Sequence, residues 1–217
     1  MGPSRVLWCC TRRKPLGAAE TVRYTGCMVE RATPHGPLSI EEYRKLEESA
    51  TVRHEYVAGE VYAMTGATRR HHRICVNILR KLADAAAGGL CRVSMETVRL
   101  EVVGKDTSTS VSYYPDVMVA CGEEPEDPYI EDEPCLVVEV LTPSSQNTDR
   151  REKLMVYRQI PSVEAYLIVH QETRRVERHF RDEEGIWRKA DLLEEGRFPA
   201  PCLPDTWLTL DGIYEGL

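Results

Sequence analysis

The run Cys135-Leu136-Val137-Val138-Glu139-Val140-Leu141 constrains this chain more than any other. It is too short and too rich in β-branched residues for a helix, so it predicts a strand over 136–141. Apart from Glu139 it is apolar at odd and even positions alike, so both of its faces need cover. That requirement implies an α/β or α+β core in which a central mixed sheet is flanked by helices.

Glu139 is the exception in that strand. A carboxylate inside an apolar run is costly unless something pairs with it. Asp116 repeats the situation at the head of a second apolar stretch, Asp116-Val117-Met118-Val119-Ala120, just after Pro115, a residue tolerated at a strand's start. Two such carboxylates on adjacent strands repel each other unless a cation lies between them. Their oxygens suit Mg²⁺ or Mn²⁺, which points to metal-assisted hydrolysis. The alternative partner for each is a nearby Arg or Lys.

The other elements follow from period and caps. Ser39 with Glu42 forms a capping box for a helix over 40–48, with Leu38 and Tyr43 as its staple. A hairpin, 54–57 with 60–63, turns at Ala58-Gly59 and puts Glu55, Val57, Glu60 and Tyr62 on one face. A second helix spans 70–87, with Ile74, Ile78, Leu82 and Ala85 at helical spacing. Strands are expected over 91–96, 98–103, 116–121, 165–170 and 176–181. The acidic stretch 122–134 reads as a solvated loop. A third helix over 148–159 places Asp149, Lys153 and Tyr157 on one face. It must fold back beside the strand of Glu139 after the link 142–145, whose Thr142, Ser144 and Ser145 read as turn and cap residues. Lys153 is then the ammonium best placed to approach Glu139, where it could hold a water or neutralise transition-state charge. The alternative is an Asp149–Lys153 surface pair.

Composition narrows the class. The formal net charge of -7 argues against a protein that coats nucleic acid, although an acidic metal site would itself add negative charge. No run of ~18 apolar residues exists to span a membrane. The 8 cysteines include no CxxC pair, so their spacing offers no zinc site, and a reduced, cytoplasmic protein is expected. Residues 1–36 lack a clear period and a signal-peptide core. They read as a disordered or misannotated leader, with Met28 as an alternative start, ahead of a single domain over 37–217.

Pro115-Asp116, then Glu139-Val140-Leu141-Thr142-Pro143-Ser144, then Asp149-x-x-x-Lys153 resembles the Uma-two family. Supporting pieces are the 54–60 hairpin, Gly66-Ala67-Thr68-Arg69-Arg70-His71, Asn77, the stretch 157–166 and Ile213-Tyr214-Glu215. The resemblance covers about 37–217. It implies a restriction-endonuclease-like fold of the PD-(D/E)XK nuclease superfamily and a metal-dependent endonuclease, with DNA as the expected substrate and Mg²⁺ or Mn²⁺ as cofactor. Asp116 and Glu139 would take the two acidic places. The lysine place departs from the pattern, since Leu141 stands two residues after Glu139, and Lys153 looks like the substitute. Glu55 looks like the additional acidic residue, as a metal ligand or holder of a water, with Glu60 as a weaker rival. His71 could touch phosphate or support the site. Arg70, Arg73 and Arg150, with Arg69 and Arg151, are the candidates for backbone contacts. Superfamily relatives often dimerise, which is compatible with a homodimer. A catalytically inactive nucleic-acid-binding module, or a protein-assembly module on the same fold, is the competing function.

Overall fold

A computed structural model of the chain describes residues 36–64, 66–142 and 148–217. The leader up to residue 35, the link 143–145 and the side chain of Asp149 lie outside the described residues. In chain order the elements are α1 (Ile40–Ser49), β1 (His54–Val57), β2 (Glu60–Ala63), α2 (Arg69–Ala86), β3 (Cys91–Ser94), β4 (Arg99–Val102), β5 (Val111–Tyr113), β6 (Val117–Cys121), β7 (Ile130–Glu131) and β8 (Pro134–Leu141). A π-helical stretch, Thr148–Lys153, then runs into α3 (Leu154–Tyr157). β9 (Ala165–His170), β10 (Arg175–Arg181), β11 (Trp187–Leu193), β12 (Arg197–Pro199), β13 (Trp207–Thr209) and α4 (Leu210–Ile213) complete the chain.

The strands form a six-stranded sheet, ordered β11-β10-β9-β8-β6-β3, a five-stranded sheet, ordered β2-β1-β5-β4-β7, and the β12-β13 hairpin. β8 is interior, antiparallel to β6 and parallel to β9, so the sheet is mixed as expected. The covered faces are those its sequence demands. Leu136, Val138 and Val140 point into a core with Ile74, Ile78 and Leu82 of α2 and with Phe198, Leu208 and Ile213 of the C-terminal segment. Val137 and Leu141 point the other way, against Leu100 and Tyr113 of the five-stranded sheet and Tyr157 of α3. Tyr43 of α1 closes the far side on Tyr56 and Val61.

Local signals held where side-chain chemistry sets the backbone. Ser39 and Glu42 make both bonds of the capping box. The hairpin turns through positive φ at Ala58 (51°) and Gly59 (92°), as a two-residue turn matched to strand twist requires. A Cβ on Gly59 would also lie 2.4 Å from Pro37 Cβ, so only glycine fits there.

Two expectations are corrected. The acidic stretch 122–134 is not wholly a solvated loop. Its Ile130–Glu131 forms β7, parallel to β4, and Glu131 is buried against the Arg92 guanidinium at 2.9 Å. A two-residue strand carries no readable period. Four of the described cysteines are also not the reduced thiols expected. Cys91 is bonded to Cys121 and Cys135 to Cys202, and Cys75 alone among the described cysteines is free. Partners 30 and 67 residues apart leave no local spacing motif. No described helix is long and apolar enough to cross a membrane.

Candidate active site

β6 and β8 set the site. Val117 pairs with Val138, and continuing that antiparallel register by one residue puts Asp116 across from Glu139. Asp116 lies just before β6, where its carboxylate can turn back. Its Oδ2 accepts the Val140 backbone N–H at 2.6 Å and lies 3.2 Å from His71 Nε2. Asp116 therefore bridges the strand that carries Glu139 and the start of α2.

His71 is fixed by its helix end. Thr68 caps α2 by accepting the His71 N–H at 3.0 Å, and its own hydroxyl donates to Gln171 Oε1 at 2.8 Å. Gln171 in turn donates to the Leu141 carbonyl at 2.9 Å, which locks the α2 start to the end of β8. Burial opposes the imidazolium, but the hydrogen bond and charge of Asp116, with Glu96 beyond, outweigh it and raise the His71 pKa. His71 is thus buried and in contact with Asp116.

Glu96 is a residue the sequence did not disclose. It has φ +46°, uncommon for a residue with a Cβ. Its N–H donates to the Pro115 carbonyl at 3.0 Å and its carbonyl accepts from Arg53 at 2.9 Å. These bonds hold the turn after β3 beside Asp116. His71, Cys75, Glu96 and Asp116 bring one ligand atom each within 4.8 Å of one another. Nothing in the order Met95-Glu96-Thr97 marks a ligand. Only β3–β6 pairing brings it there.

Glu139 holds a second cluster of polar groups. Its Oε1 accepts from Lys153 Nζ and from the Tyr157 hydroxyl, both at 3.0 Å. Lys153 Nζ also lies 2.8 Å from Glu55 Oε1 and 5.2 Å from the centre of the Tyr113 ring. The expected face of Lys153 and Tyr157 is therefore present, with the Asp149 side chain outside the described residues. Lys153 and Glu139 are buried, and Glu55 is half-buried and steadied by the Tyr114 N–H at 3.4 Å. Burial and then the charges of Glu139 and Glu55 push the Tyr157 phenol well up, so it stays a donor. Burial, then Asp116, Glu96 and Glu139, push the Cys75 thiol up too.

The basic candidates are drawn into internal contacts. Arg70 Nε donates to the Gln171 carbonyl, Arg73 to the Gly216 carbonyl at 2.9 Å, and Arg150 to Glu177 at 2.7 Å. Glu60 accepts from Tyr62 at 2.9 Å on the hairpin.

A family model described as "Putative restriction endonuclease", Uma2, matches residues 40–211. The chain belongs to the Uma2 family. Two proteins of Synechocystis sp. (strain ATCC 27184 / PCC 6803 / Kazusa) are similar to it along most of their length. Protein slr1290 is 30% identical over 189 residues, 86% of this chain and 96% of its own. Protein sll1609 is 30% identical over 165 residues, 73% of this chain and 89% of its own. The crystal structure of a protein from Anabaena variabilis ATCC 29413, described as a putative nuclease belonging to DUF820, superposes with a TM-score of 0.64 at 17% identity. That match covers 82% of this chain and 98% of the other. The fold of this Uma2 member is therefore the α+β fold of that protein.

Proposed function

We propose that this Uma2 protein is a metal-dependent endonuclease that hydrolyses phosphodiester bonds, with DNA as its substrate. The observation that carries the reading is the gathering of carboxylates beside β6 and β8. Asp116 and Glu96 lie in one cluster with His71, and Glu139 and Glu55 meet at Lys153. A divalent cation would offset the repulsion between carboxylates so gathered. The donors fit one. Carboxylate oxygens suit Mg²⁺ and Mn²⁺ alike, and the nearby imidazole favours Mn²⁺. Asp116, with Glu96 or Glu139, would hold the ion. When bound, it would lower the pKa of water and neutralise charge that develops on a phosphoryl oxygen.

The chain's own groups supply the rest. Asp116 is oriented by the Val140 N–H and by His71, so its second oxygen can serve as ligand without rotamer freedom. Lys153 can hold a water against Glu139 or donate to a phosphate oxygen. Glu55 is better read as the group that positions Lys153 than as a metal ligand, because its Oε1 is bonded to the ammonium. The competing reading is a binding module on a retired site. It draws on the burial of Lys153 between two carboxylates, while the internal bonds of Arg70, Arg73 and Arg150 count against it.

Nicking of supercoiled plasmid with Mg²⁺ or Mn²⁺, beside EDTA, Asp116→Asn and Glu139→Gln, tests the proposal. Cleavage that disappears in all three controls is the expected result. A folded protein that binds DNA without metal, loses it steeply with salt and cuts nothing would establish the binding module instead.

A further inference from the structure

The second constellation of ligating groups lies away from the carboxylates. Cys91 on β3 and Cys121 at the end of β6 are direct partners across the strand pair. Cys135 opens the neighbouring β8, and Cys202 comes from the loop between β12 and β13. Four segments, as far apart in sequence as 111 residues, thus deliver their sulfurs to one volume at the edge of the main core. The Cys121 and Cys135 sulfurs are 3.9 Å apart, and those of Cys121, Cys135 and Cys202 all lie within 4.8 Å of one another. Cys91 is bonded to Cys121. We infer that, in its reduced form, the chain holds one Zn²⁺ between Cys91, Cys121, Cys135 and Cys202.

Zinc bound at ~2.3 Å by four thiolates sets neighbouring sulfurs roughly 3.8 Å apart, the edge of the tetrahedron. The separation between the two disulfide pairs already matches that edge. Opening the pairs would let the remaining sulfurs relax to it by side-chain rotation. The oxidised and metal-loaded forms are alternatives for the same four atoms. Reducing the two disulfides with a phosphine takes up four electrons and four protons and gives four thiols. Zn²⁺ then displaces those four protons. Which form prevails follows the redox poise around the protein, since disulfides are seldom kept where thiols are held reduced. Cys91, Cys121 and Cys202 are partly exposed, which gives the ion an entry path, while Cys135 is buried. The site would clamp β3, β6 and β8 to the C-terminal segment.

The full-length chain, reduced with a phosphine without oxygen, is titrated with Co²⁺ and then Zn²⁺. One equivalent of Co²⁺ should give the intense sulfur-to-cobalt absorption of a tetrahedral thiolate site, and Zn²⁺ should bleach it. Asp116→Ala should keep the band and Cys135→Ser/Cys202→Ser should lose it. Because that double variant could fail to fold, alkylation of the wild type gives a second readout. Zinc should slow iodoacetamide at Cys91, Cys121, Cys135 and Cys202 by roughly tenfold or more, and leave Cys9, Cys10 and Cys27 unprotected. No band from fully reduced, folded protein would overturn the inference. So would protection that maps to the leader cysteines, or a band lost with Asp116.

Discussion

Lys153 bears on stability as well as chemistry. Its ammonium touches Glu139 at 3.0 Å and Glu55 at 2.8 Å with almost no solvent access. Removing one partner of such a pair leaves an uncompensated buried charge, a loss of about 3–5 kcal/mol. Lys153→Met should therefore lower the urea midpoint strongly, whereas Glu139→Gln, which keeps the shape and an acceptor for Tyr157, should cost much less and still abolish cleavage. An unchanged midpoint in Lys153→Met would show that the ammonium does not hold these carboxylates together. Glu96 invites a different substitution. Asn tolerates positive φ, so Glu96→Asn should be close to neutral for stability yet weaken Mn²⁺ binding measured by calorimetry. Full Mn²⁺ affinity in that variant would remove Glu96 from the ligand set. Asp116 and Glu139 were legible because an apolar strand makes a carboxylate conspicuous. Glu96 and Gln171 were not, because each sits beyond a strand end and gains its meaning only from the pairing that brings it home.

At the scale of elements, β10 carries a titration that sets acid stability. His179 is buried, faces the Tyr166 ring and lies 3.4 Å from Arg158. Burial first, then the charges of Arg158 and Lys189, lower its pKa to about 4, against smaller opposing effects of Glu177 and Asp191. The unfolded chain takes up that proton near its ordinary value of ~6.5. Its contribution is thus fully present above about 6.5 and is lost as pH falls through about 4. Since one pKa unit corresponds to about 1.4 kcal/mol, even a fraction of the shift is measurable. Glu177 on the same strand is held down to about 2, where burial is outweighed by hydrogen bonds from His170, Lys189 and Arg150. Its loss comes at lower pH. Urea midpoints for the wild type should fall between pH 6.5 and 4, and His179→Asn should flatten that window. A wild-type curve already flat there would show that His179 titrates normally. The strand was readable in the sequence; its buried histidine was not, because its cover comes from Arg158, just after α3, and from Tyr166 of β9. By contrast β8 and β9 were plain from their apolar sequences, Leu136 to Leu141 around Glu139 and Ala165 to Val169, while β5 and β7 are too short to carry a period.

The whole molecule is closed by its last turn, and that closure reaches the site. The Tyr214 hydroxyl donates within reach of the His170 and Arg175 carbonyls, at 2.7 and 2.8 Å, and accepts the Arg175 N–H at 3.1 Å. Asn77 on α2 donates to the Ile213 and Glu215 carbonyls at 3.0 and 3.1 Å. The C-terminal segment therefore grips β9, β10 and α2 at once, and α2 is the helix whose first turn presents His71 to Asp116. Tyr214→Phe leaves buried polar groups without their partner, a cost of roughly 1–3 kcal/mol. Asn77→Ala attacks the same seam from the helix side. Because both changes loosen one interface, their costs should fall short of additive by about 0.5 kcal/mol or more. Neither residue touches the carboxylates, yet the double variant should bind Mn²⁺ more weakly than the wild type at a temperature where both are folded, since α2 can then shift His71 away from Asp116. Additive losses with unchanged Mn²⁺ affinity would separate the closing turn from the site and leave it a purely structural clasp.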